Sequence, residues 1–115
     1  MSMEKHTYLI VGYDLSQYKD EILTEEFCQS SVYDDLTCCK CTGQVQIFDN
    51  DSHLYFGYIV GYSEEYGCCG ETIMNFGKYL EYSEVTSEKL KQFISQDIIS
   101  SLNGDANLIM FHEWY

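Results

Sequence analysis

The stretch Gln44–Tyr62, QVQIFDNDSHLYFGYIVGY, most limits what this chain can fold into. Two apolar runs flank a short polar segment, which is a hairpin pattern. In the first run Val45 and Ile47, with Asp49 following, share one face. Gln44, Gln46 and Phe48 share the other, as a half-buried strand requires. Asp49-Asn50-Asp51-Ser52 supplies short polar side chains that bond their own backbone and tolerate a left-handed conformation. From Leu54 to Tyr62 nearly every residue is apolar or aromatic, so this strand is expected to be central in its sheet. Gly57 and Gly61 share a face with Tyr55 and Ile59. Glycine within a strand marks a bulge or a close approach, here read as room for a crossing helix.

The rest of the chain is read around this hairpin. Thr7–Tyr13 is expected to be a strand buried on both faces. Ser16 is a candidate N-cap for a helix using Tyr18, Ile22, Leu23 and Phe27. Residues 28–42 read as ambiguous: Ser30-Ser31 and Asp34-Asp35 suggest loop, and Val32-Tyr33 a brief strand pairing. Residues 63–70 read as a turn or loop. Thr72–Tyr82 is read as a strand, with a helix as the alternative. Leu90, Phe93, Ile94, Ile98, Ile99 and Leu102 predict one amphipathic helix over about 87–102. Thr86 would be its N-cap, Val85 and Leu90 its hydrophobic staple, and Asn103-Gly104 its stop. Ala106–Trp114 is expected to be the last strand. Tyr8–Tyr13 (YLIVGY) and Tyr58–Tyr62 (YIVGY) echo each other, as two central strands meeting one packing problem would. The expected fold is a single α+β domain over 1–115, with an antiparallel or mixed sheet built around the 44–62 hairpin and the C-terminal helix packed on one face.

Charge narrows the partners. Nineteen acids face six Lys, giving −13 in a 115-residue chain. Residues 1–53 hold ten acids and three Lys, and residues 54–115 hold nine and three, so the charge is not a tail. Such a surface repels nucleic acid and anionic membranes, which argues against direct binding to either. The N-terminal residues lack the pattern of a secretory signal, and no apolar run approaches the roughly 20 residues of a membrane span. A cytoplasmic protein with a basic partner is the simplest expectation.

No P-loop, GxGxxG or HExxH pattern is present, and no nucleophile motif selects one of His6, His53 or His112. Catalytic residues are therefore not assigned. Cys38 and Cys41 have C-x-x-C spacing, and Cys68 and Cys69 follow as an adjacent pair. A tetrahedral zinc ion held by Cys38, Cys41, Cys68 and Cys69 is an alternative to reduced thiols without a cofactor. The acids Asp14, Asp20, Glu21, Glu25, Glu26, Asp34, Asp35, Asp49, Asp51, Glu64, Glu65 and Glu71 form a candidate contact field in the first two thirds of the chain. Rows of carboxylates can approximate the charge spacing of duplex phosphates, about one per 1.7 Å of axis. Tyr18, Tyr33 and Tyr66 are candidate aromatic anchors within that field.

Gly12-Tyr13-Asp14-Leu15-Ser16 with Tyr18-Lys19, and Gly43–Asp49 followed by Leu54–Ile59, resemble segments of small acidic proteins encoded by phages of Gram-positive bacteria. The resemblance covers roughly the first sixty residues. It implies a non-enzymatic inhibitor that binds the basic, nucleic-acid-facing surface of a host defence or transcription protein, in the manner of an anti-CRISPR or DNA mimic. The alternatives are a structural or self-associating module, including a homodimer or a zinc-organised form, and a small ligand-sequestering protein or hydrolase.

Overall fold

The computed structural model describes residues 5–64, 67–69, 76–102 and 106–114, with 64, 67–69, 76 and 114 described by backbone alone. In chain order the elements are β1 (Lys5–Asp14), a 3-10 turn (Ser16–Tyr18), α1 (Lys19–Ile22), α2 (Glu25–Cys28), α3 (Ser31–Thr37), β2 (Val45–Asn50), β3 (His53–Glu64), β4 (Gly67–Cys69), α4 (Phe76–Leu90), α5 (Gln96–Ser101) and β5 (Asn107–Trp114). The fold is α+β. Among the described residues every strand pairing is antiparallel, in the order β2-β3-β1-β5, and β4 also pairs with β3. Each helical crossover skips one strand. Apart from β4, this is the β-α-β-β-α-β connectivity of ferredoxin-like domains.

The period-two reading of the hairpin holds. Val45 and Ile47 pack in the cluster that also contains Val11, Phe56 and Val60, the helix residues Ile22, Leu36, Leu90 and Ile98, and Ile94 from the turn between α4 and α5. Gln46 and Phe48 belong to the opposite face, where Phe48 packs with Tyr8, Ile10, Ile59 and Phe111. The turn tightens to Asp51-Ser52 between the paired Asn50 and His53, with Asp51 at φ 50°. The YLIVGY and YIVGY echoes lie side by side as the paired centres of β1 and β3.

Among the described residues, no helix residue belongs to the second cluster, where Ile10, Phe48 and Ile59 are fully buried. It is the coiled sheet that, among the described residues, packs on itself over this face. Phe48 and Phe111 lie three strand positions apart, about 14 Å in a flat sheet. Their ring centroids are nevertheless 4.8 Å apart. Tyr55 stacks on Phe111 at 4.6 Å and Tyr8 lies 4.9 Å from Phe48, so aromatic rings fill the concave side. The edge strands then meet through side chains: the Asn50 amide donates to the His112 carbonyl at 3.0 Å.

The 38–43 loop helps to close the gap. Buried Gln46 donates to the Asp35 carbonyl at 3.1 Å and accepts from the Cys39 N–H at 3.3 Å. This places Lys40 Nζ 4.9 Å from the Phe48 ring centre and 3.6 Å from Glu113 Oε1 on β5. The buried Glu113 carboxylate thereby has an opposite charge beside it.

Glycine permits the coil. Gly12 pairs directly with Gly57, and a Cβ on Gly12 would lie 2.0 Å from the Phe56 carbonyl oxygen. On Gly57 it would lie 2.7 Å from the Val11 carbonyl oxygen. The close approach expected of Gly57 is thus to the neighbouring strand and not to a crossing helix. Between Leu9/Ile10 and Gly61/Ile59 the register slips, leaving Val60 as the extra residue of a bulge, which adds twist.

The helices depart from the sequence reading for one recurring reason. Hydroxyl side chains cap new helices where apolar spacing alone suggests continuity. Thr24 accepts from Phe27 N–H at 3.1 Å and Ser30 from Tyr33 N–H at 3.2 Å, so the expected 16–27 helix breaks into short pieces and 31–37 becomes helix. Ser16 is not an N-cap. Its hydroxyl donates to Asp14 at 2.5 Å and accepts from Leu54 N–H at 2.9 Å, joining the end of β1 to β3. The single helix over 87–102 is corrected to α4 and α5, because Ser95 caps α5 through Ile98 N–H at 3.4 Å. Residues 76–82 are helix and not strand: Tyr79, Tyr82, Thr86 and Leu90 form the inward stripe. Thr86, expected as a cap, is buried inside α4 with its hydroxyl 2.7 Å from the Tyr82 carbonyl and 3.1 Å from that of Val11. Val85 is exposed and makes no staple. Residues 63–64 and 67–69 are strand and not loop. The expected stop at Asn103-Gly104 lies outside the described residues.

The glycine contact gives a direct test. Gly12→Ala should destabilise the fold by about 1–3 kcal/mol, because backbone atoms of β3 must move to admit the methyl group. Gly61→Ala, whose Cβ would meet Leu9 side-chain carbons at 3.6 Å, should be tolerated. Urea denaturation of the two variants checks the contrast, and equal midpoints would contradict it.

Candidate acidic interface

Three short helices carry the densest charge. Between Lys19 and Thr37 there are six acids and one Lys. Asp20 and Glu21 open α1, Glu25 and Glu26 open α2, and Asp34 and Asp35 lie on α3. All six are exposed. Among the described residues, no ion pair engages any of them. The inward positions of the same segment, Ile22, Phe27, Tyr33 and Leu36, hold it to the sheet. The acids are therefore a consequence of amphipathic spacing: the side chains that do not face the sheet project from it.

The remaining acids of the field are placed differently. Asp49 is exposed but paired, with its Oδ1 2.6 Å from Lys19 Nζ. Lys19 also donates to the carbonyl of Asp51 and approaches that of His53 at 3.5 Å. Asp14 accepts from the Ser16 backbone N–H at 3.0 Å and from its hydroxyl. Asp14, Asp49 and Asp51 thus stand at the strand ends, where a local cation or hydroxyl already engages Asp14 and Asp49. The Glu64 side chain, Glu65, Glu71 and Tyr66 lie outside the described residues.

Tyr18 and Tyr33 are half-buried rather than projecting. The Tyr18 hydroxyl donates to Ser101 Oγ at 2.6 Å. Tyr33 meets Phe27 edge-on at 5.5 Å, and Phe27 stacks on Phe93 at 5.4 Å. Both tyrosines therefore brace the helices. The exposed apolar group on α3 is Val32, which the sequence reading did not single out. It also passed over Glu81, Glu84 and Glu88, which are exposed at helical spacing on α4. That row was hidden because Glu81 falls in the expected 72–82 strand, Glu84 in no expected element and Glu88 in the expected 87–102 helix.

An open depression of about 260 Å³ lies beside the acidic helices. Ile22, Phe27, Phe93, Ile94 and Ile98 line it together with Glu21, Thr24 and Ser95, and its open surface is more polar than apolar. Such a site suits a long side chain with an aliphatic stem and a cationic head.

Neither alternative chemistry is assembled as a catalytic or metal centre among the described residues. Asp14, Ser16 and His53 are neighbours, with Ser16 Oγ 3.5 Å from His53 Nδ1. The serine proton is directed to Asp14, however, whereas an activated serine needs its base at that position. His6 lies 2.6 Å from the Tyr62 hydroxyl, and His112 Nδ1 lies 2.9 Å from that of Thr7. Cys38 and Cys41 are free and exposed. No group of three or more His, Cys, Asp or Glu side chains converges on a common point among the described residues. The backbone of Cys68 and Cys69 is in β4, and their side chains lie outside the description.

Comparison of the chain with protein-family models, curated proteins and solved structures gives no match. Among the described residues, no helix is long and apolar enough to cross a membrane.

Burial raises the phenol groups of Tyr33, Tyr55 and Tyr58 above their ordinary value of 10.0, with smaller contributions from Cys28 and Asp49 at Tyr33, from Asp14 at Tyr55 and from Tyr82 and Glu81 at Tyr58. The folded state holds these protons more tightly than the unfolded chain. Their contribution is complete below the unfolded value and is lost as pH rises through the raised folded values. Denaturation midpoints measured upward from pH 10 should therefore fall, and Tyr58→Phe should make that fall shallower. An identical alkaline slope in the variant would contradict the assignment.

Proposed function

We propose that the chain is a non-enzymatic binding protein that occupies the basic surface of a protein that handles nucleic acid. The observation that carries this reading is the set of six exposed carboxylates on α1–α3 that no ion pair engages among the described residues. They lie on short helices braced by Phe27, Tyr33 and Leu36, so their order does not depend on the partner. Long-range attraction would speed encounter, while the depression lined by Phe27, Phe93 and Glu21 would receive a Lys or Arg side chain and slow release. The resemblance to phage-encoded acidic proteins supports a host defence or transcription protein as the target, met in the cytoplasm of the infected cell. Zinc is not required by this reading.

Self-association is the second reading, favoured by the edge strand β5. Leu108 and Met110 are 50% and 66% exposed there, and Asn107–His112 carries no Asp, Glu, Lys or Arg. An uncharged edge is where two copies of a −13 chain can approach with least repulsion.

Affinity capture from nuclease-treated bacterial lysate, washed at low and high salt, tests the proposal. A nucleic-acid-handling protein should be retained at low salt and released at high salt. Replacing Asp20, Glu21, Glu25, Glu26, Asp34 and Asp35 by their amides should weaken retention and flatten its salt dependence. Binding that is insensitive to both salt and these replacements would overturn the acidic-interface reading. Recovery of additional copies of the chain alone would favour self-association.

A further inference from the structure

The 38–43 loop holds chemistry that a binding role does not use. Cys39 and Cys41 direct their sulfur atoms at each other, 3.2 Å apart, with the Cys39 S–H donating to Cys41. The fold fixes both backbones. Cys39 N–H is bound by the buried Gln46 side chain, and the Cys41 carbonyl accepts from Gln44 N–H at 3.1 Å. Between them, Lys40 is tied to Glu113 and Phe48, so the intervening residue points away from the thiols toward the gap in the sheet. Cys41 is exposed, which gives a small reagent access. The neighbouring Cys38 is turned elsewhere, with its S–H 3.3 Å from the Asp35 carbonyl.

We propose that Cys39 and Cys41 form a reversible dithiol–disulfide site that exchanges with small disulfides. Cys41, which accepts the sulfhydryl hydrogen bond, is the attacking group once its proton leaves to solvent. Its thiolate breaks the S–S bond of the small disulfide, forms a mixed disulfide and expels one thiolate. Cys39, losing its proton, then attacks Cys41 Sγ and expels the second thiolate. The two released thiolates take up the two protons. The protein dithiol is oxidised to one disulfide and the small disulfide is reduced to two thiols. The hydrogen bond to Cys41 leads the effects that raise the Cys39 thiol above its ordinary value, in keeping with Cys39 acting second. Ring closure ties the chain on either side of Lys40, so the redox state of this pair acts on the loop between α3 and β2, whose Lys40 reaches Glu113 on β5.

The test uses the full chain and bis(2-hydroxyethyl) disulfide, an uncharged probe that the acidic surface does not repel. After incubation, remaining thiols are blocked and the chain is cut by trypsin. Cleavage after Lys40 leaves the two flanking peptides joined only if a disulfide spans the cut. The joined pair should appear in the wild type and in Cys28→Ser, Cys38→Ser, Cys68→Ser and Cys69→Ser. It should be absent in Cys39→Ser and Cys41→Ser, where a mixed disulfide should remain on the surviving thiol. Joining should also be faster in the folded chain than in urea, because the fold holds the sulfur atoms together. Mixed disulfides on both thiols of the wild type, a joined pair that survives Cys39→Ser or Cys41→Ser, or equal rates in the two solvents would overturn the proposal.

Discussion

The contact between the backbones of β1 and β3 at Gly12 and Gly57 is the constraint on which the rest of the structure depends. Two side-chain-free positions face each other where each would otherwise drive a Cβ into the opposite strand. Removing that obstacle lets the sheet coil until Phe48 and Phe111, from opposite edges, touch. The concave side is then filled by the sheet's own rings. The coil assigns the aromatic residues their place, and the described helices pack on the outer face.

This division explains how a −13 chain folds. Apolar burial is concentrated between the coiled sheet and within it, while the unpaired carboxylates are pushed to the far side of α1–α3. Like charges on short exposed helices repel, but water and salt screen them. The buried carboxylate of Glu113 is handled otherwise, beside Lys40 at the seam between β2 and β5. Charge at the surface is thus available for a partner, and charge at the seam belongs to the fold.

Strands were more legible in the sequence than helices. Thr7–Tyr13, the 44–62 hairpin and 106–114 follow period-two or unbroken apolar patterns, and β1, β2, β3 and β5 occupy those positions. The helix boundaries depended on hydroxyl groups whose role is decided locally. Ser16 was read as a cap and instead links strands, whereas Thr24, Ser30 and Ser95 start helices. The inward face of α4 was obscured because Tyr79, Tyr82 and Thr86 carry polar tips on a buried stripe. Composition revealed the acidic character of the surface, but α1–α3 were needed to separate six unpaired acids from Asp14 and Asp49, which have local partners. The Cys39–Cys41 approach was masked by the more familiar C-x-x-C spacing of Cys38 and Cys41.

The Phe48–Phe111 contact reports most directly on the coiling of the sheet. Nuclear Overhauser spectroscopy with selectively labelled Phe rings measures that proximity in solution. A coiled sheet gives strong cross-peaks between the Phe48 and Phe111 rings, across two intervening strands. Cross-peaks from each ring only to its paired neighbours, with none between the two, would describe an open sheet and contradict it.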